Sequence, residues 1–281
     1  MILLELVKMR NFYSDKIMLV RHQDPLYDVN SLYKKGFIET YQSIQSKDIF
    51  RNCDYIMSFI GTEATKARYI GTYRVFNSVY SDINTLPANF PYPEYGVGNY
   101  YRYSLERIQL LEDLEDRLVI EWGKSTRSWY QWLKPDKPKD VVEILPKGYV
   151  HEFVGFDNVL LTFEELELIV NNPDANRTWH TMLSSAAGVY LIVDRVTGNQ
   201  YIGSAYGEKG LLGRWTNYVK TRHGGNKELI KSLEDEPLRY KDFTYSILRT
   251  LPRTMTAKEV IAVEQKYKEI LGSRAFGLNS N

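Results

Sequence analysis

The stretch that decides the fold of the C-terminal part is GVYLIVDRVTGNQYIGSAYG, Gly188–Gly207. Alternation puts Val189, Leu191 and Val193 on one face and Tyr190, Ile192 and Asp194 on the other. The VTGN step supplies a turn in which Gly198 and Asn199 can take positive φ, so the segment predicts a β-hairpin. Its second arm leaves through YIGSAYGEKG, whose small residues let a ligand or a helix approach closely. Tyr190 and Tyr201 sit near equivalent ends of the two arms, each close to a glycine. They read either as packing residues or as two phenols reaching one small space.

The following segments fill in the domain. GLLGRWTNYVKTRHGGN has helical periodicity, with Leu211, Leu212, Trp215 and Val219 as its apolar stripe and Arg214 and Tyr218 side by side at the edge. Arg214 is either a surface arginine lying over Trp215 or a flat fork of donors for phosphate. A short helix, NKELIKSLED, and a third strand, FTYSILRTL, come next. The last helix starts with a capping box, Thr256 and Glu259, and stops at Gly272. Val260, Val263, Tyr267, Ile270 and Leu271 form its stripe and Glu264 falls inside it, while Lys258, Glu259, Lys266, Lys268 and Glu269 stay mostly outside. A carboxylate on a buried face costs several kcal/mol unless it is paired or binds a cation, so Glu264 reads as a salt-bridge partner or as a metal ligand. Asn279 follows as a cap or a hydrogen-bonding member of the same site.

Composition narrows the class. The 281 residues are long enough for one large or two ordinary domains. There is no run of ~18 apolar residues, and charge enters MILLELVKMRNFYSDK too early for a secretory signal, which predicts a soluble cytoplasmic protein. The single cysteine, Cys53, excludes an internal disulfide framework and a cysteine-rich zinc site, and His22, His151, His180 and His223 have no metal-ligand spacing. The net charge of +1 hides a split: from Ala186 onward there are 15 Lys/Arg against 10 Asp/Glu, and before it 21 against 25. Tyr201 to Lys231 alone holds six basic and two acidic residues, either a solvated basic face or a surface for a phosphate backbone.

The N-terminal part reads as β-rich. KIMLVRH (16–22), DYIMSFIG (54–61) and ARYIGTYRVFN (67–77) are strand-like, with a helical segment near 30–50 and a Pro/Gly/Tyr loop over 87–103. DRLVIEWGKSTRSWYQWL (116–133) reads as a strand, a turn at Gly123 and an aromatic segment. Prolines in KPDKPKDVVEILPKG (134–148) signal a boundary. TFEELELIV, with Thr162 and Glu165 as a capping box, and a second helix starting at Pro173 then form a connector. The expected organisation is a β-rich domain over 1–148, a small curved sheet or open barrel with helices, then a helical connector over 149–185 and an α+β domain over 186–281.

GVY ten residues before YIG, an arginine on the next helix, a glutamate on a later one and a terminal asparagine together resemble the GIY-YIG endonuclease family over Ala186–Asn281. The resemblance implies a three-stranded antiparallel sheet flanked by helices and a Mg²⁺ (or Mn²⁺)-dependent endonuclease acting on double-stranded DNA. It implies Tyr190 and Tyr201 as the motif tyrosines, Arg214 as the catalytic arginine, Tyr218 where many members have histidine, Glu264 as the metal ligand and Asn279 as the C-terminal asparagine. His223 is a further candidate, and Val189 replaces the usual isoleucine.

On that reading Tyr190 takes the proton from water, Tyr201 holds water or phosphate, Arg214 neutralises developing charge and Glu264 holds the ion on the leaving-group side. The expected function is a restriction enzyme, sequence-specific or modification-dependent, in phage defence. Alternatives are a repair or mobile-element nuclease on branched or damaged DNA, and a DNA-binding module that cuts nothing. Residues 1–148 would recognise the target, by reading base edges or by stacking a flipped base on aromatics such as Trp122, Trp129 and Trp132 unless these are core. Cutting both strands calls for a homodimer or two sequential nicks.

Overall fold

The apolar runs of the N-terminal half become the centre of a curled sheet. The computed structural model describes residues 1–82, 85–124 and 128–279, and the chain divides into two units, Met1–Leu145 and Pro146–Asn281.

The first unit contains α1 (Leu3–Met9), β1 (Ile17–His22), α2 (Val29–Lys34), α3 (Ile38–Ser43), β2 (Ile44–Gln45), β3 (Tyr55–Gly61), β4 (Lys66–Ser81), β5 (Tyr100–Ile108), β6 (Leu118–Glu121), β7 (Tyr130–Trp132) and β8 (Val141–Ile144). The helical pattern near 30–50 gives two short helices because Gly36, at φ +76, breaks it. They form the crossover that lets β1 pair parallel with β3, from Ile17 opposite Tyr55 to His22 opposite Ile60. Every residue of β1 is buried: the apolar run Ile17–Val20 suits a central strand, and Arg21 and His22 follow as buried polar residues. β4 pairs with β3, β5 and β6 in turn and is irregular between Val75 and Ser78, so the eight-stranded sheet curls into a half-barrel. β8 lies within the proline-rich segment expected to be irregular, paired to β6. The turn expected at Gly123 is made at φ +98, and residues 125–127 after it lie outside the described residues. Trp122 is fully buried and is core rather than a stacking platform, while Trp129 and Trp132 are partly buried against the core.

The second unit contains β9 (Leu160–Thr162), α4 (Phe163–Asn171), α5 (Arg177–Ser185), β10 (Ala187–Asp194), β11 (Gln200–Ala205), α6 (Gly210–Thr221), α7 (Lys227–Asp235), β12 (Phe243–Leu251), α8 (Ala257–Leu271) and α9 (Ser273–Phe276). The three antiparallel strands expected are joined by a fourth, β9, giving the order β11-β10-β12-β9. Segment 149–185 is thus no free connector. Leu161, Phe163, Leu166, Ile169, Trp179 and Leu183 all enter the main core of this unit. Both expected capping boxes form, at Thr162/Glu165 and Thr256/Glu259. α5 starts at Arg177 rather than Pro173, because the Asn176 amide is drawn into the preceding loop by Gly148 and Val150.

The sheet is covered on both faces. Tyr190, Ile192, Tyr201 and Tyr245 meet α4, α5 and α6, while Val189, Leu191 and Ile202 meet Val260, Val263 and Tyr267 of α8. The alternation read from the hairpin therefore sorts its side chains between two helical layers.

One buried group in the first unit makes stability pH-dependent. The His22 ring Nε2 donates to Gln42 Oε1 at 3.1 Å, and the Ser58 hydroxyl donates to the same oxygen at 2.6 Å. Burial pulls the His22 pKa down to about 4, against a smaller upward pull from Gln42. The folded state thus resists a proton that the unfolded chain accepts, so the contribution is complete above pH 6.5 and is lost as pH falls from 6.5 towards 4. We expect about 2 kcal/mol to be gone by pH 5. Urea unfolding of the full chain at pH 7 and pH 5 should show this loss, and a His22→Gln chain should show a smaller one.

Candidate functional site

The hairpin register explains its glycines. Tyr190 lies opposite Gly203 and Ile192 opposite Tyr201, so both tyrosines point to the α6 side of the sheet, two residues out of step. A Cβ on Gly203 would lie 2.4 Å from the Tyr190 hydroxyl and 2.9 Å from the Tyr201 ring, so the glycine of YIG leaves the space the Tyr190 phenol fills. The glycine of GVY does the same for backbone: a Cβ on Gly188 would lie 2.6 Å from the Arg249 carbonyl oxygen of β12.

Tyr190 is fully buried, and its hydroxyl lies 3.1 Å from that of Tyr218 on α6. Arg214, one helical turn before Tyr218, donates from Nε to the Tyr190 oxygen at 3.0 Å, from one terminal nitrogen to the Gly224 carbonyl at 2.9 Å and from the other towards the Tyr218 oxygen at 3.4 Å. Gly224 is required for this arrangement: it sits at φ +59, and a Cβ there would lie 2.4 Å from the Tyr218 ring. Burial, and secondarily Tyr201, raises the Tyr190 pKa despite the Arg214 charge; Tyr218 is raised well above its ordinary value by burial and by Tyr190. For Arg214, burial pulls its proton affinity down but the phenols of Tyr190 and Tyr218 more than offset this, and it stays a cation. Among the described residues no carboxylate is paired with it. The result is a half-buried guanidinium whose partners there are all neutral.

On α8 the environment differs. Glu264 Oε2 accepts a short hydrogen bond from the Ser204 hydroxyl of β11, and Oε1 lies 2.7 Å from the ammonium of Lys268. The Lys268 side chain is 1% exposed and that of Glu264 13%. The expectation that Lys268 stays outside the buried stripe is corrected: it is the partner of Glu264, while Ile270 and Leu271, expected inside, are 62% and 40% exposed. The sequence did carry a signal for the pair, the Glu-to-Lys spacing of four on a helix.

β11 is an edge strand, and alternation along it sends Tyr201 towards α6 and Ser204 towards α8. A cleft of about 590 Å³ opens over this edge. It is lined by Tyr201, Ser204, Lys209, Arg214, Glu264 and Gln265, among others. Of the residues expected in a site, the structure therefore brings Tyr201, Arg214 and Glu264 to one cleft. Tyr190 and Tyr218 stand behind Arg214 instead. A phenol that burial holds protonated is a poor proton acceptor, so the expectation that Tyr190 takes the proton from water is not supported; the tyrosines lining the cleft are Tyr201 and Tyr206.

Asn279 and His223 are both outside the lining. The Asn279 amide donates to the carbonyl of Ile202 at 2.8 Å and accepts from its N–H at 2.9 Å, occupying the edge groups of β11 between Tyr201 and Gly203. His223 Nδ1 accepts from Gly225 N–H at 2.9 Å within its own turn. Ser204, Lys209 and Lys268 are the residues that reading the sequence missed. Ser204 and Lys209 carry no local signal, since a serine and a lysine in a glycine-rich loop suit a turn equally well.

A hard divalent cation fits the donor set on the α8 wall. One carboxylate and one hydroxyl oxygen face an open cleft with room for water and phosphate oxygens, as Mg²⁺ sites commonly provide. Among the described residues no cluster of three or more His, Cys, Asp or Glu could enclose a metal. No described helix is long and apolar enough to cross a membrane.

No known protein family and no curated protein matches the chain. Two solved structures are similar to about a third of it. One is the catalytic domain of the intron endonuclease I-TevI carrying a single substitution, at 22% identity and TM-score 0.29, covering 34% of this chain and 94% of that one. The other is the catalytic domain of homing endonuclease I-TevI, at 26% identity and TM-score 0.27, covering 33% and 96%.

The phenol network can be separated from ordinary packing. The Tyr218 hydroxyl serves Tyr190 and Arg214, whereas the buried Tyr245 hydroxyl finds no hydrogen-bond partner among the described residues. Tyr218→Phe should destabilise the chain by about 1–2 kcal/mol, and Tyr245→Phe should be neutral or stabilising. Chemical denaturation of the two variants checks the contrast.

Proposed function

We propose that the second unit hydrolyses phosphodiester bonds of double-stranded DNA in the cleft over the β11 edge. The observation that carries this is the Arg214 guanidinium, half-buried, held by neutral groups and lining an open cleft. A cation kept from water without a counter-charge is stabilised by an incoming anion, and its planar fork matches two phosphate oxygens. Lys209 and the N-terminal turn of α6 line the same cleft and add to its positive potential.

In this reading Arg214 binds the scissile phosphate and neutralises the charge that grows on it, and Tyr201 orients the attacking water. Tyr190 and Tyr218 are positioning residues that hold the guanidinium flat. Asn279 steadies the strand that carries Tyr201 and Gly203. Glu264, with Ser204, would hold Mg²⁺ or Mn²⁺, which supplies positive charge on the far side of the phosphate.

The first unit acts as the target-recognition module. Its β4–β5 ribbon exposes Phe76 under the Arg74 guanidinium on one face and Tyr80 against Tyr101 on the other, aromatic and basic groups of the kind that contact nucleic acid. A separate recognition module carried on the same chain as a nuclease unit suits restriction of incoming phage DNA, with two copies or two sequential nicks for the two strands.

Incubation with unmodified and methylated phage DNA and Mg²⁺ should yield discrete fragments from one of them, and intact DNA on every substrate would refute the reading. Arg214→Ala should slow cleavage by two to three orders of magnitude, about 3–4 kcal/mol of transition-state stabilisation. Glu264→Ala should abolish cleavage while DNA binding, followed by gel shift, persists. Tyr201→Phe should cost more activity than Tyr190→Phe.

A further inference from the structure

We propose that Lys268 is a positioning residue that keeps Glu264 closed to cations in the free protein. The inference rests on the cleft reading above, in which Glu264 is the cation ligand. Both carboxylate oxygens are already engaged, Oε1 by the Lys268 ammonium at 2.7 Å and Oε2 by the Ser204 hydroxyl. Lys268 is anchored one helical turn after Glu264 with a side chain 1% exposed, so its charge does not swing out into water. An exposed lysine would yield to a divalent ion by moving away. A buried one stays, and two positive charges then compete for one carboxylate at short range.

The remaining lining charges do not relieve this competition. Lys209 and Arg214 are both cationic, and Glu264 is the sole carboxylate among the residues that line the cleft. Within that lining, further negative charge enters only with a phosphate. Cation and phosphate therefore assist each other's binding, and because such coupling is reciprocal, the free protein holds the ion weakly. Lys268 also holds Glu264 against the Ser204 side of the cleft, ready for exchange when the phosphate arrives.

The test is a Mn²⁺ titration of the full chain without DNA, with free ion followed by electron paramagnetic resonance. Lys268→Met and Lys268→Gln should bind Mn²⁺ at least tenfold more tightly than wild type, and Glu264→Gln should bind no more tightly than wild type. Lys268→Gln retains a hydrogen-bond donor to Glu264, so it serves if the Met variant does not fold, and thermal melting establishes which variants are folded. Equal affinities for wild type and both Lys268 variants, all above that of Glu264→Gln, overturn the inference and leave Glu264 as the ligand. Affinities no higher than that of Glu264→Gln for every chain overturn both the inference and the metal role of Glu264.

Discussion

A guanidinium held by two phenols and a carbonyl is the constraint around which the second unit is arranged. Arg214 reaches Tyr190 on the central hairpin, Tyr218 on its own helix and Gly224 in the loop beyond, so three elements are tied to one charge. Each tie makes a demand on sequence nearby. The Tyr190 phenol needs the missing side chain of Gly203, and the Tyr218 ring needs that of Gly224. Neutral partners hold the group without cancelling its charge, so the electrostatic work of desolvating it is done on folding and is recovered when an anion binds.

The second organising feature is the position of β11 at the sheet edge. A central strand would be flanked by neighbours on both sides, and its two faces would never open to a common space. At the edge, alternate residues of one strand serve two different helices and still border the same cleft, so Tyr201 with Arg214 and Ser204 with Glu264 become opposite walls. The electrostatic character of the walls differs accordingly: on one, a cation that meets no carboxylate among the described residues, and on the other an ion pair.

Much of this was legible from short-range pattern. The hairpin, its turn, the capping boxes at Thr162 and Thr256 and the stop at Gly272 are local devices, and they appear where periodicity and turn chemistry put them. Arg214 and Glu264 were legible because a charge beside or within an apolar stripe is conspicuous. What sequence concealed depends on tertiary depth. Tyr190 and Tyr201 look alike in the chain, yet one is the wall behind the guanidinium and the other faces the cleft, a distinction made by the two-residue offset of the register. Lys268 escaped because a long side chain at the margin of a stripe can fold inward as readily as outward. β9 escaped because three residues carry no period of their own, and β8 because prolines on either side masked it.

Asn279 binds Ile202 across 77 residues of sequence. The hairpin that carries Tyr190 and Tyr201 closes from neighbouring residues, but the outer side of its second arm has to wait for a partner made much later in synthesis. During that interval a nascent chain displays the two tyrosines on an edge strand whose N–H and C=O groups are still open to water or to another strand. Completion of the β11 edge is thereby tied to translation having run past residue 279, and a chain released earlier carries the two tyrosines without the clasp that sets their strand.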